Sequence, residues 1–212
     1  MINQVFPRSC IGVRRYNAFT LIELIVVVGI IIVLAGLVLS TVGYARKKGA
    51  RARTETEIAA MSAALENYKA DNGTYPRGPA SAITIGTTTI PANATDTLDP
   101  KTRGNPADTT DPTYGATSLY LYTLLSGDST GIRSPTGKSY MAFKPNMLLP
   151  AGGSGTVTAI SDPFGNSYGY STANQADPVT PKGYNPTFDL WSTAGVMSTA
   201  NPPDQSQWIK NW

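Results

Sequence analysis

The chain has 212 residues, a net charge of +3, 15% charged residues, 20 Gly and 16 Pro. That is enough for one turn-rich domain with a substantial appendage, and too little for two full cores. Arg8, Arg14 and Arg15 stand without an acid in the first eighteen residues, and the rest balances at fourteen basic against fourteen acidic, so no concentrated basic surface for nucleic acid is expected. There is no His, which removes the commonest general base and metal ligand, and the single Cys10 leaves no internal disulfide.

The first element is a long apolar segment. Residues 24–39 read LIVVVGIIIVLAGLVL, without a polar side chain, and residues 19–43 hold one charge, Glu23. Twenty-five residues at 1.5 Å each give a helix of roughly 37 Å, enough to cross a hydrocarbon core of about 30 Å. A secretory signal has a shorter apolar region and a small-residue cleavage site; here the exit is Tyr44-Ala45-Arg46-Lys47-Lys48. Glu23 is the anomaly, since a carboxylate in an apolar helix is costly unless paired and usually has a function. The plainer alternative is that it lies near the headgroups and snorkels.

Residues 44–72 continue the helix. Ile58, Met61, Leu65 and Tyr68 fall at helical spacing, with Glu55, Glu57, Glu66 and Lys69 expected on other faces. Asn72-Gly73 followed by Pro76 is the predicted stop. Residues 77–118 turn rich in Thr and Pro and predict a surface loop or disordered insertion, too poor in apolar side chains to join a core, with a small hairpin of Ile83, Ile85 and Ile90 across residues 86–89. Asp108 and Asp111 read as solvated turn residues rather than a catalytic carboxylate pair.

Beyond this, residues 119–127 predict a short helix. Short strands are predicted at residues 140–143, 157–160, 167–170 and 186–192, with a turn at Asp162-Pro163-Phe164-Gly165-Asn166. The pattern is α+β: a long N-terminal transmembrane and spine helix with a small C-terminal antiparallel β-sheet head. The boundaries are 1–18 for a leader, 19–43 and 44–72 for the two halves of the helix, 73–118 for the variable loop and 119–212 for the head.

Arg14-Arg15-Tyr16-Asn17-Ala18, followed by Phe19-Thr20-Leu21-Ile22-Glu23-Leu24 and a long apolar run, resembles the leader and cleavage motif of type IV pilins and type II secretion pseudopilins. Leu65-Glu66-Asn67-Tyr68-Lys69-Ala70-Asp71-Asn72-Gly73-Thr74-Tyr75-Pro76, the Asp162 turn, Tyr168-Gly169-Tyr170, Phe188-Asp189-Leu190-Trp191-Ser192 and Ile209-Lys210-Asn211-Trp212 resemble, in order, the major pseudopilin. The resemblance implies a pilin-like fold and cleavage between Ala18 and Phe19 by a prepilin peptidase, with N-methylation of Phe19. Ala18 stands where Gly is usual. It also implies a homo-oligomeric helical filament in which Glu23 pairs with the Phe19 amine of a neighbouring copy and fixes the register. The implied partners are the inner-membrane secretion platform and minor pseudopilins. The implied place is the bacterial inner membrane, single-pass, with the C-terminal domain in the periplasm or outside the cell once assembled.

Basic residues number three before the span and five after it (Arg46, Lys47, Lys48, Arg51, Arg53). Simple counting would put the C-terminal side in the cytoplasm, whereas the resemblance implies a cytoplasmic leader. Major pseudopilins bind Ca²⁺ in the loop after the Asp189 strand. Here Leu190, Ser192 and Asp204 remain of that oxygen set, which makes a weak calcium site, while Asp189 and Asp204 read as turn and cap residues. Trp191, Trp208 and Trp212 are expected to hold the tail instead. With no His and no phosphate loop, an anchored enzyme is disfavoured. The sequence points to a structural subunit of a type II secretion pseudopilus; the alternative is a type IV pilin of an adhesion or motility fibre.

Overall fold

The computed structural model describes residues 19–108, 112–180 and 182–212, without the side chains of Ser40 and Thr41. The predicted leader 1–18, with Ala18, Cys10 and the early arginines, lies outside the described residues, as does Asp111. Contacts divide the chain into two units, Met1–Ala45 and Arg46–Trp212.

Helix α1, Leu21–Asn72, follows the predicted pattern. In the first unit its apolar side chains from Leu21 to Leu39 are all exposed, and by length and composition this helix is suited to cross a membrane. In the second unit α1 buries Thr54, Glu57, Ile58, Met61, Ala64 and Leu65 against the head, with Tyr68 partly buried beside them. The three- and four-residue steps place these positions on one face. The helix ends as predicted: Gly73, at φ +80°, donates its N–H to the Lys69 carbonyl at 2.7 Å, a reversal that glycine adopts without a Cβ penalty.

Glu57 corrects the sequence reading. Expected on an outer face, it is only 8% exposed, because Arg53 and Tyr168 both donate to its carboxylate, each at 2.7 Å.

Strands β1 (Ile83–Ile85) and β2 (Thr88–Ile90) pair as the expected hairpin, Ile83 opposite Ile90. The rest of the Thr/Pro-rich segment departs from expectation. Its Ile85, Ile90, Ala94 and Leu98 are buried, and residues 94–97 form the short helix α2, Ala94–Thr97. Its polar side chains are satisfied inside the head: Thr95 Oγ1 accepts from the Gly78 amide at 2.6 Å and from the Thr172 hydroxyl at 2.7 Å. A few well-placed apolar groups therefore suffice for this segment to join the core.

Helix α3, Thr113–Ser126, begins earlier than the predicted 119–127 and is buried along most of its length. It packs on α2, β2 and two later strands, β4 and β5, given below. The predicted strand at 140–143 is absent. Tyr140 and Met141 instead donate their amides to the Leu125 carbonyl at the end of α3, at 2.8 and 3.0 Å, so this stretch caps a helix. The pairing strand comes later: after a 3-10 turn at Pro145–Met147, β3 (Leu148–Leu149) pairs antiparallel with β4 (Ala159–Ile160).

The three-stranded antiparallel sheet has the order β5 (Gly169–Ser171), β6 (Asp189–Ser192), β7 (Ile209–Lys210), with the short helix α4 (Ala173–Ala176) after β5. Both β5 and β6 are buried throughout, so these strands are covered on both sides. The fold is α+β, a long N-terminal helix and small antiparallel sheets.

Candidate assembly and processing site

At the N-terminal end of α1, Phe19 is 83% exposed. Next to it, Thr20 and Glu23 close a reciprocal cap. Thr20 donates its backbone N–H (3.0 Å) and its hydroxyl (2.9 Å) to Glu23 Oε2, while Thr20 Oγ1 accepts the Glu23 amide at 3.3 Å. Such a box satisfies donors that a helix start leaves without intrahelical partners. The structure thus brings together Phe19, Thr20 and Glu23 in one turn. It gives the Glu23 carboxylate a local anchor in the single chain that sequence reasoning had sought only on a neighbouring copy. Thr20 was missed, although Thr-x-x-Glu before an apolar run is the sequence signature of a capping box. Chemically, the arrangement holds one carboxylate against the Thr20 amide and hydroxyl at the head of an exposed apolar segment.

The residues named for calcium lie in the head and are engaged by protein groups. Ser192 donates its hydroxyl to Asp162 Oδ2 at 2.5 Å, the Leu190 carbonyl accepts the Asn211 amide at 3.2 Å, and Asp204 Oδ1 accepts the Ser206 amide at 2.9 Å. Calcium takes six to eight oxygens with substantial negative charge. Ser192 is buried with its proton directed at an acid, and no group of three or more His, Cys, Asp or Glu suited to a metal occurs among the described residues. This donor set does not fit the ion.

Asp162 also accepts the amides of Phe164 (3.0 Å) and Asn166 (2.8 Å) through Oδ1, closing the predicted turn. Burial raises its carboxyl above the usual value, against the hydrogen bonds from Ser192, Asn166 and Phe164. Asp189 accepts the Tyr184 and Asn185 amides, each at 2.8 Å, in the turn role expected of it. The tail packs through aromatic rings. Trp191 stacks on Trp208 (centroids 6.1 Å, 6° apart) and meets Trp212 edge-on at 5.8 Å.

Comparison with curated proteins places these features. Over 94 residues the chain is 33% identical to the type II secretion system core protein G of Pectobacterium carotovorum, covering 44% of this chain and 56% of that protein. Against the core protein G of Vibrio cholerae it is 35% identical over 83 residues, 38% of this chain and 57% of the relative. The chain is similar to type II secretion core G proteins and to a type IV pilus component. The pilus component is the type IV wide pilus major component of Thermus thermophilus, to which the chain is 36% identical over 85 residues, 39% of its own length and 63% of the relative's. The chain spans 41–63% of the length of the curated relatives it matches. No family model matches, and no solved structure matches at comparable significance.

Proposed function

We propose that the chain is a structural subunit of a type II secretion pseudopilus. A prepilin peptidase removes residues 1–18 by cutting between Ala18 and Phe19, and the new amine of Phe19 is methylated. The apolar half of α1 holds the subunit in the bacterial inner membrane as a single span, with the C-terminal domain in the periplasm, and then packs against other copies in a homo-oligomeric helical filament. Minor pseudopilins and the inner-membrane secretion platform are its partners, and it catalyses nothing itself.

The observation that carries this reading is the exposed apolar half of α1, whose one carboxylate, Glu23, is oriented at the first turn by Thr20. In low dielectric, a cationic amine on Phe19 of the next copy offsets the burial of that carboxylate and penalises wrong registers. The test has two arms. Mass spectrometry of the mature N-terminus is expected to find methylated Phe19. Glu23→Val is expected to insert in the membrane normally and to yield no filaments; normal filament yield would remove Glu23 from the assembly mechanism.

The match to a type IV wide pilus component favours a second reading, a pilin of an extracellular fibre. Imaging a deletion strain separates the two, since loss of surface fibres with intact protein export would support the pilin.

A further inference from the structure

The basic residues after the apolar segment run against simple charge counting for the orientation proposed above, and that function leaves them unused. They are not equivalent. Arg51 donates to the Gln207 carbonyl at 2.7 Å and ties the tail to α1, while Arg53 pairs with Glu57 at 2.7 Å. Arg46, Lys47 and Lys48 are exposed and form no ion pair among the described residues. Tyr44, 74% exposed, precedes them, and Leu39 lies seven positions before Arg46. An aromatic followed by clustered cations is the pattern that sits at headgroup level at a membrane boundary.

We propose that Arg46, Lys47 and Lys48 form a collar that binds the anionic headgroups of phospholipids on the membrane face from which the head emerges. The inference rests on reading the apolar segment as a span. Three consecutive residues in a helix point in directions about 100° apart, so the collar presents charge to lipid around most of the helix rather than to one face of a partner.

A second copy of the chain is the other source of negative charge; seven of its fourteen acidic residues are already engaged within the chain, whereas Glu55 and Asp204 are exposed. Asp71 holds Lys138, Asp96 holds Arg77, Glu66 accepts the Tyr75 hydroxyl, and Glu57, Asp128, Asp162 and Asp189 are buried and hydrogen-bonded. Anionic lipid supplies charge at high density without such prior engagement. A basic side chain near an anionic surface strengthens binding about fivefold. Three of them therefore suffice for a preference of tenfold or more even when partly screened.

The test uses the full chain reconstituted in vesicles of equal parts phosphatidylglycerol and phosphatidylcholine, extracted in mild detergent, with bound lipid quantified by mass spectrometry. The wild-type chain is expected to retain phosphatidylglycerol at least tenfold over phosphatidylcholine at low salt, and to lose that preference when washed at high salt. The triple variant Arg46→Gln, Lys47→Gln, Lys48→Gln is expected to retain the two lipids equally, with the near-ultraviolet circular dichroism of the head unchanged. Equal retention by the wild type, or an undiminished preference in the triple variant, overturns the collar. A triple variant that keeps the lipid preference but loses self-assembly assigns the charges to another copy instead. Alkaline extraction of the same vesicles separates the two readings. A chain stripped from the membrane sinks the span, whereas a chain that stays without lipid preference sinks the collar alone.

Discussion

The phenol of Tyr168 donates to Glu57 Oε2 at 2.7 Å across 111 positions, joining the strand region of the head to the face of α1. Both groups are buried, and burial together with the facing carboxylate pushes the Tyr168 phenol far up, so it remains a donor at any ordinary pH. Removing the donor leaves a buried carboxylate oxygen without its partner, which costs about 1–3 kcal/mol or more for a charged group. Tyr168→Phe is therefore expected to lower the unfolding free energy of the full chain in detergent by that amount, read as a lower denaturation midpoint. Glu57→Gln, which keeps an acceptor, should be milder. An unchanged midpoint for Tyr168→Phe would mean that Glu57 is solvated.

Asp128 predicts a pH dependence. It accepts from the Tyr122 hydroxyl at 2.9 Å, the Gly131 amide at 2.9 Å and the Arg133 amide at 2.7 Å, which folds residues 128–133 around one carboxylate. Burial raises this carboxyl, but the hydrogen bonds from Tyr122, Thr130 and Arg133 outweigh it and hold it below the usual value. A carboxyl lowered in the folded state contributes stability that is present above its unfolded value, about 3.9, and is lost as pH falls through the folded value. Asp128→Asn should flatten the acid limb of the stability curve below about pH 4. Asp162 and Asp189 act in the opposite sense. Burial raises both, so their contribution is present below the unfolded value and lost as pH rises through the raised one. A steepened acid limb in Asp128→Asn would contradict the assignment.

The head should be indifferent to calcium. Ser192, Leu190 and Asp204 are occupied by Asp162, Asn211 and Ser206. An ion at a hundred times its Kd would add about 2.7 kcal/mol, which at roughly 2–4 °C per kcal/mol is a rise of several degrees in Tm. Thermal unfolding of the full chain with millimolar Ca²⁺ and with chelator is expected to give the same Tm. A rise of that size with calcium would show that the Asp162–Ser192 bond opens to admit the ion.

The features legible in the sequence are those written in neighbouring residues. The apolar run, the Ile58–Met61–Leu65 stripe, the Gly73 stop and the Ile83–Ile90 hairpin each lie within a few turns of chain and emerge as expected. The Thr20–Glu23 box is equally local, and its signal is the three-residue spacing of Thr20 and Glu23 rather than the charge of Glu23. Residues 140–143 misled because extended, aromatic-rich sequence does not reveal whether its amides will find a strand or the end of α3.

By itself the sequence determined the helix, its apolar half, its cap and its stop, because periodicity and terminal chemistry act over a single turn. Only the tertiary structure decided that Glu57 is inside, that the Thr/Pro-rich segment lends Ile90 and Leu98 to the head, and that Ser192 faces Asp162. These depend on partners 30 to more than 100 positions away. Whether a polar group is buried is set by the donor that meets it, and no local pattern encodes that meeting.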